Sequence, residues 1–142
     1  MNEAATPFNP VIGTVEKSKK ATASKGSIKE VIAIVRQARH VATRQALEAA
    51  GIFSYTTFPV LGRSRQRGLR FQSEGKEAMT IKFLPKQYFS IVVNEMQLSA
   101  AIAVIIKSNR TGEGVSGDGR IFVVDIDDAV RISTDDRGCE AL

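Results

Sequence analysis

The chain has 142 residues, with 20 lysines and arginines against 15 aspartates and glutamates and a formal net charge of +5. That length suits one domain around one core, and a positive balance spread along the chain suits a polyphosphate ligand as well as a polynucleotide. Cys139 and His40 each stand alone, which excludes an intrachain disulfide and a soft Cys/His metal site; no apolar run reaches the ~20 residues that cross a bilayer and no signal-peptide pattern is present, so a cytoplasmic protein without membrane insertion is expected.

Residues 1–27 carry Pro7, Pro10, Gly13, Gly26 and the basic run Lys17-Ser18-Lys19-Lys20. This composition predicts a flexible arm, leaving 28–142 as the folded domain. From Ile28 to Val35 a compact apolar run predicts a central strand. Between Val41 and Ala50 the small-residue face of Ala42, Ala46, Leu47 and Ala50 predicts a helix, with Gly51 as its stop and His40 at its start or on the surface. Ile52 to Leu61 is β-branched and aromatic, a second strand that Pro59 confines to an edge or a bulge.

Gly62 ends that strand, and a long polar segment follows to about Thr80, opened by Arg63, Arg65, Arg67 and Arg70. In a small domain a loop of that length is commonly functional. Ile81 to Val93 returns to strand character, with Pro85-Lys86 read as a bend within it. Asn94 is placed to cap a second helix whose apolar face is Leu98, Ala101, Ile102 and Ile105. Arg120 to Asp125 predicts a fourth strand, followed by a short extended or turn segment ending in Arg131 and a polar remainder from Ser133.

Between the second helix and the fourth strand lies the stretch Lys107 to Arg120, with glycines at 112, 114, 117 and 119. Glycines so spaced permit a nest of main-chain amides, and Arg110 and Arg120 bracket it, so an anion such as phosphate is the predicted ligand. Gly112 to Gly117 has the spacing of a Walker loop, but Asp118 stands where the lysine belongs and a strand follows in place of a helix. A phosphate here must therefore be held by nest amides and arginines, without a helix N-terminus facing it.

The predicted order β-α-β-β-α-β is that of an α+β, ferredoxin-like sandwich, with both helices on one face of a four-stranded antiparallel sheet. The other face is expected to present Val31, Phe58, Ile91 and Val123 or their strand neighbours. Such a surface in water predicts an oligomer.

Three stretches, Val60 to Gly68, Phe83 to Lys86 and Thr111 to Val123, stand in an order that resembles the PII signal-transduction family. The resemblance covers Ile28 to about Leu142. It implies a trimeric regulator, without enzymatic turnover, that binds ATP or ADP between subunits and senses 2-oxoglutarate. By position, it implies nucleotide contacts from Gly62, Ser64, Arg65, Gly117, Asp118, Gly119 and Arg120, with Arg131 reaching the phosphates of the adjacent subunit's ligand. It puts a magnesium ion on the side-chain oxygen of Gln66 and the acid on Gln66, Arg67 and Lys86. Arg63, Arg67 and Arg70 become candidates for gripping a target protein.

Some positions depart from the family pattern. Arg120 replaces its usual lysine, Ser133 its second arginine after Arg131, and Ser64 a glycine. The glycine loop is about two residues longer than is common, and residues 67–81 contain no tyrosine for uridylylation. The missing tyrosine, the segment Leu61 to Leu69 and the ending Asp125 to Arg131 resemble most the nitrogenase-regulating branch. That likeness implies a homotrimer, or a heterotrimer with a paralogous subunit, acting on dinitrogenase. Another PII target, such as glutamine synthetase or an ammonium transporter, is the alternative. A ferredoxin-like RNA-binding domain is a remoter one, because the expected stacking aromatics on central strands are only weakly echoed at Gly119 to Val124.

Overall fold

The computed structural model describes residues 26–63 and 83–142. Their elements are β1 (Ile28–Arg36), α1 (His40–Ala49), β2 (Thr56–Gly62), β3 (Leu84–Asn94), α2 (Glu95–Asn109) and β4 (Gly119–Ile126), with 3-10 turns at Gln37–Arg39 and Gly138–Ala141. The strands make one antiparallel sheet in the order β2-β3-β1-β4. This is the expected α+β, ferredoxin-like arrangement, with β1 and β3 central.

Strand alternation places Val31, Ala33 and Val35 of β1 beside Phe89, Ile91 and Val93 of β3, and all are buried with Leu47 of α1 and Ala101 and Ile105 of α2. Leu98 and Ile102 pack against that core, completing the predicted face of α2. The Asn94 carboxamide oxygen accepts the Gln97 N–H at 3.0 Å, so α2 starts at the capping residue read from the sequence. Helix α1 has no side-chain cap; it grows out of the 3-10 turn and ends at Gly51, whose φ is +77°. The two helices are joined through buried polar groups: Asn109 Nδ2 donates to Thr43 Oγ1 at 2.9 Å, and Thr43 Oγ1 donates to the Arg39 carbonyl at 2.8 Å.

Pro59 lies on β2, an edge strand, as its missing donor requires. The predicted bend at Pro85-Lys86 is absent, because β3 continues through both residues, opposite Leu61 and Val60 of β2. Lys86 is also the last residue opposite β1, so Pro85 stands beyond that ladder.

Two residues assigned to the open face belong to the core: Val31 and Ile91 are buried under the helices. Val123 lies opposite Val31 on the helix side and remains half exposed because β4 is the other edge. Their strand neighbours form the open face. Register sets Ile32 beside Phe122, Ile34 beside Tyr88, and Tyr88 beside Phe58, whose ring stacks on it at 4.6 Å between centroids. Phe58 is 45% exposed, Phe122 44% and Val124 42%, a broad apolar surface for a chain of this size.

Candidate functional site

Antiparallel pairing brings four strand ends together at one end of the sheet. Arg36 closes β1 opposite Lys86, Gly62 closes β2 opposite Leu84, and Gly119 opens β4 opposite Val35. A Cβ on Gly62 would stand 3.1 Å from Lys86 Cγ, so these two strands approach tightly there. The structure thus gathers Gly62, Lys86 and the loop carrying Gly117, Asp118, Gly119 and Arg120. The sequence had linked them only through resemblance.

The glycine loop is shaped from inside. Gly112, Gly114, Gly117 and Gly119 all have positive φ. At the loop's centre the Asp118 Oδ2 accepts the backbone N–H of Thr111 at 3.0 Å and of Val115 at 2.8 Å. Its own N–H donates to the Val115 carbonyl at 3.1 Å. Asp118 therefore closes the loop on itself, and it influences a ligand through the loop it shapes. Those backbone donors, Val115 first and then Thr111, with help from the Thr111 hydroxyl and the Arg36 charge, hold the carboxyl well below its usual range, at about 2.

Two cations meet at one carbonyl of this loop. Arg36 Nε and Lys86 Nζ each donate to the Gly117 oxygen at 3.2 Å. The same guanidinium reaches Thr111 Oγ1 from Nη1 at 3.3 Å and sets Nη2 3.1 Å from Asp118 Oδ1. That last contact is an ion pair without an aligned hydrogen bond, since the buried Oδ1 has no hydrogen-bond partner. Burial depresses the pKa of Lys86, the neighbouring Arg36 depresses it further, and Asp118 opposes both. A desolvated ammonium beside a guanidinium, sharing one neutral acceptor, favours a carboxylate or phosphate coming between them. Arg36 is the member of this cluster that sequence reasoning missed.

On the helix side the loop borders a cleft of about 260 Å³, walled largely by Val35, Ile105, Ile106 and Ile121, with Asp118 and Arg120 at its edge. Arg120 is exposed and stands opposite Ile34. Arg131 is held elsewhere in its own chain: Nη2 donates to the Leu142 carbonyl at 2.7 Å, and Nη1 lies 3.5 Å from Asp136. Arg63 is exposed at the end of β2, while Ser64, Arg65, Gln66, Arg67 and Arg70 lie outside the described residues. Among the described residues no group of three His, Cys, Asp or Glu side chains could hold a metal ion. No described helix is long and apolar enough to cross a membrane.

A ferredoxin-like sheet with a glycine-rich loop and two neighbouring cations gathered at one end defines the architecture of the domain. Residues 28–136 match the family described as Nitrogen regulatory protein P-II. The chain is 40% identical over 123 residues to the "Nitrogen fixation nifHD region GlnB-like protein 2" of Methanothermobacter marburgensis, a match spanning 81% of this chain and all of that protein. The "Nitrogen fixation nifHD1 region GlnB-like protein 2" of Methanosarcina barkeri is 39% identical over 124 residues, spanning 81% of this chain and 99% of that one. Among solved structures, Arabidopsis thaliana PII bound to citrate aligns with a TM-score of 0.65 and 32% identity over 82% of this chain and 94% of that one. The chain belongs to the PII family of nitrogen-regulatory signal proteins, regulators and not enzymes, and several of its relatives are named for nifHD nitrogen-fixation regions.

Proposed function

We propose that the chain is a sensor of ATP or ADP and of 2-oxoglutarate that restrains nitrogenase, through its dinitrogenase component, when the acid is scarce. The observation that carries this reading is the meeting of Arg36, Lys86 and the glycine loop at one end of the sheet. Nucleotide phosphates would lie on Gly117 to Arg120, aided by Gly62, Ser64, Arg65 and the partner subunit's Arg131. Gln66 would hold magnesium by its amide oxygen, a hard ligand suited to that ion. The acid would take Gln66, Arg67 and Lys86, and the Arg36 charge beside Lys86 strengthens the site for a carboxylate. The Arabidopsis relative described as bound to citrate is consistent with a polycarboxylate ligand in this family. The names of the nifHD-region relatives support the nitrogen-fixation setting.

Trimer formation, with itself or with a paralogue, would cover the open sheet face. Acid binding would draw the segment carrying Gln66 and Arg67 toward Lys86 and withdraw Arg63, Arg67 and Arg70 from the target. The ligand shifts that balance only by its differential affinity for the two states.

Calorimetry of the full chain tests the reading. 2-Oxoglutarate should bind tightly only after MgATP, and Lys86→Gln should weaken the acid at least about tenfold, the loss of one charge-assisted bond, while MgATP still binds. An acid that never binds, with or without MgATP, refutes the sensor role.

A further inference from the structure

The residues between the glycine loop and the acid site are doubly engaged, and Asp118 governs how. Arg36 is committed to the Gly117 carbonyl, the Thr111 hydroxyl and the Asp118 carboxylate. Lys86 is committed to the same Gly117 carbonyl. An incoming carboxylate can use these cations only by drawing them away from the loop they support. Asp118 opposes that withdrawal in two ways: it neutralises part of the cation pair, and it makes the loop's closure depend on Arg36. The Arg36–Asp118 contact is suited to breaking, because Oδ1 has charge beside it but no aligned donor.

We infer that Asp118 is a positioning residue that couples the two ligand sites, holding Arg36 on the loop until nucleotide supports the loop in its place. The inference rests on the functional reading above. A nucleotide held by the loop supplies contacts of its own, so the loop no longer needs the Arg36–Asp118 tie. Arg36 and Lys86 are then released to the acid at lower cost. Linkage makes the effect mutual: acid bound at the cations improves nucleotide binding by the same factor. A merely structural aspartate would influence both ligands in the same direction. Asp118 should move them in opposite directions.

The test is calorimetry of the full chain and its Asp118→Asn variant with MgATP, with 2-oxoglutarate alone, and with 2-oxoglutarate after MgATP. The asparagine keeps an oxygen for the Val115 N–H and loses the charge that holds Arg36. MgATP affinity should fall about twofold to fivefold, the range for losing one partly exposed ion pair. Acid affinity without nucleotide should rise severalfold, so the factor by which MgATP improves acid binding shrinks toward one. Equal losses for both ligands with that factor unchanged would overturn the inference, as would no change in either.

Should Asp118→Asn fail to fold, Arg36→Lys carries the same question. It keeps the charge but cannot reach three loop groups at once, and it should also shrink the factor. An undiminished factor there overturns the inference. Failure of the unaltered chain to bind the acid under any condition refutes the functional reading itself, a result distinct from parallel losses in the variant.

Discussion

Replacing Gly119 with alanine should weaken the whole domain, although the residue lies at the mouth of a loop. Its φ is +134°, and a Cβ there would stand 2.6 Å from the Ile34 carbonyl oxygen, 3.2 Å from Val35 Cα and 3.3 Å from Val35 Cγ1. The first two are backbone atoms of the central strand β1, which cannot yield as a side-chain tip does. Holding a non-glycine residue in such a conformation costs about 1–3 kcal/mol. Relieving the contact means lifting the start of β4 from β1, with one or two ladder hydrogen bonds lost at about 0.5–1.5 kcal/mol each. Together these give roughly 2–4 kcal/mol, a large share of the ~5–15 kcal/mol that holds a domain folded.

At a urea dependence of about 1.5 kcal/mol per molar, the unfolding midpoint should drop by about 1–3 M. The assay is urea unfolding followed by far-ultraviolet circular dichroism, with both proteins at one protomer concentration, since association raises apparent stability. Gly112→Ala is the internal control. Its φ is +54° and nothing lies within 4 Å of the added carbon, so it should cost only about 1 kcal/mol. Equal midpoints for Gly119→Ala and the parent, or a larger drop for Gly112→Ala, would refute the steric reasoning.

Other substitutions address other parts of the molecule. Phe122→Asp puts a charge on the open face and should turn an oligomer into monomers in sedimentation velocity; unaltered oligomer mass would show that this face is not the interface. Asp136→Asn removes the charge beside Arg131 and should raise MgATP affinity about twofold to fivefold, as expected for a surface pair, by freeing Arg131 for the neighbouring subunit's ligand. Unchanged or weaker binding by calorimetry would contradict that. For pH, the folded Asp118 carboxyl lies at about 2, below its unfolded value near 4. Its stabilising contribution is therefore complete above pH ~4 and is lost as pH falls toward ~2. The stability gap between the parent and Asp118→Asn should be flat above that window and close within it, and a gap that widens on acidification would reverse the sign.

Much of the fold was legible because local signals agreed with one another. Asn94 marked the start of α2, Pro59 the edge strand, and the spacing of Leu98, Ala101, Ile102 and Ile105 the buried face. The glycines that predicted positive φ adopt it. Alternation shows which residues share a face but not which face the helices will cover. Since β1 and β3 carry apolar residues on both sides, Val31 and Ile91 were assigned to the wrong one. The turn at Pro85-Lys86 was read from proline alone, without the register that keeps Lys86 in the ladder with β1 and β2.

Arg36 could not be found from sequence. It ends a strand without any motif, and its partner carbonyl at Gly117 is 81 residues away. Nor was the inward role of Asp118 visible, because a carboxylate in a glycine loop reads equally well as a ligand or as a staple. The polar remainder after Ser133 concealed order as well: Val130 bridges to Arg137, and Asp136 and Leu142 hold Arg131.

Cys139 stands alone in the sequence, yet its Sγ lies 3.1 Å from the carbonyl oxygen of Gly26. A Cβ on Gly26 would come within 2.8 Å of that sulfur, so the C-terminal 3-10 turn rests on the root of residues 1–25. The chain's only thiol is thereby a native attachment point beside Gly26, just before β1. A small fluorophore or spin label there would report on the surroundings of Gly26 without any engineered cysteine. The rate at which the thiol accepts the label, compared with and without nucleotide, would show whether events at the opposite end of β1 are felt at its beginning.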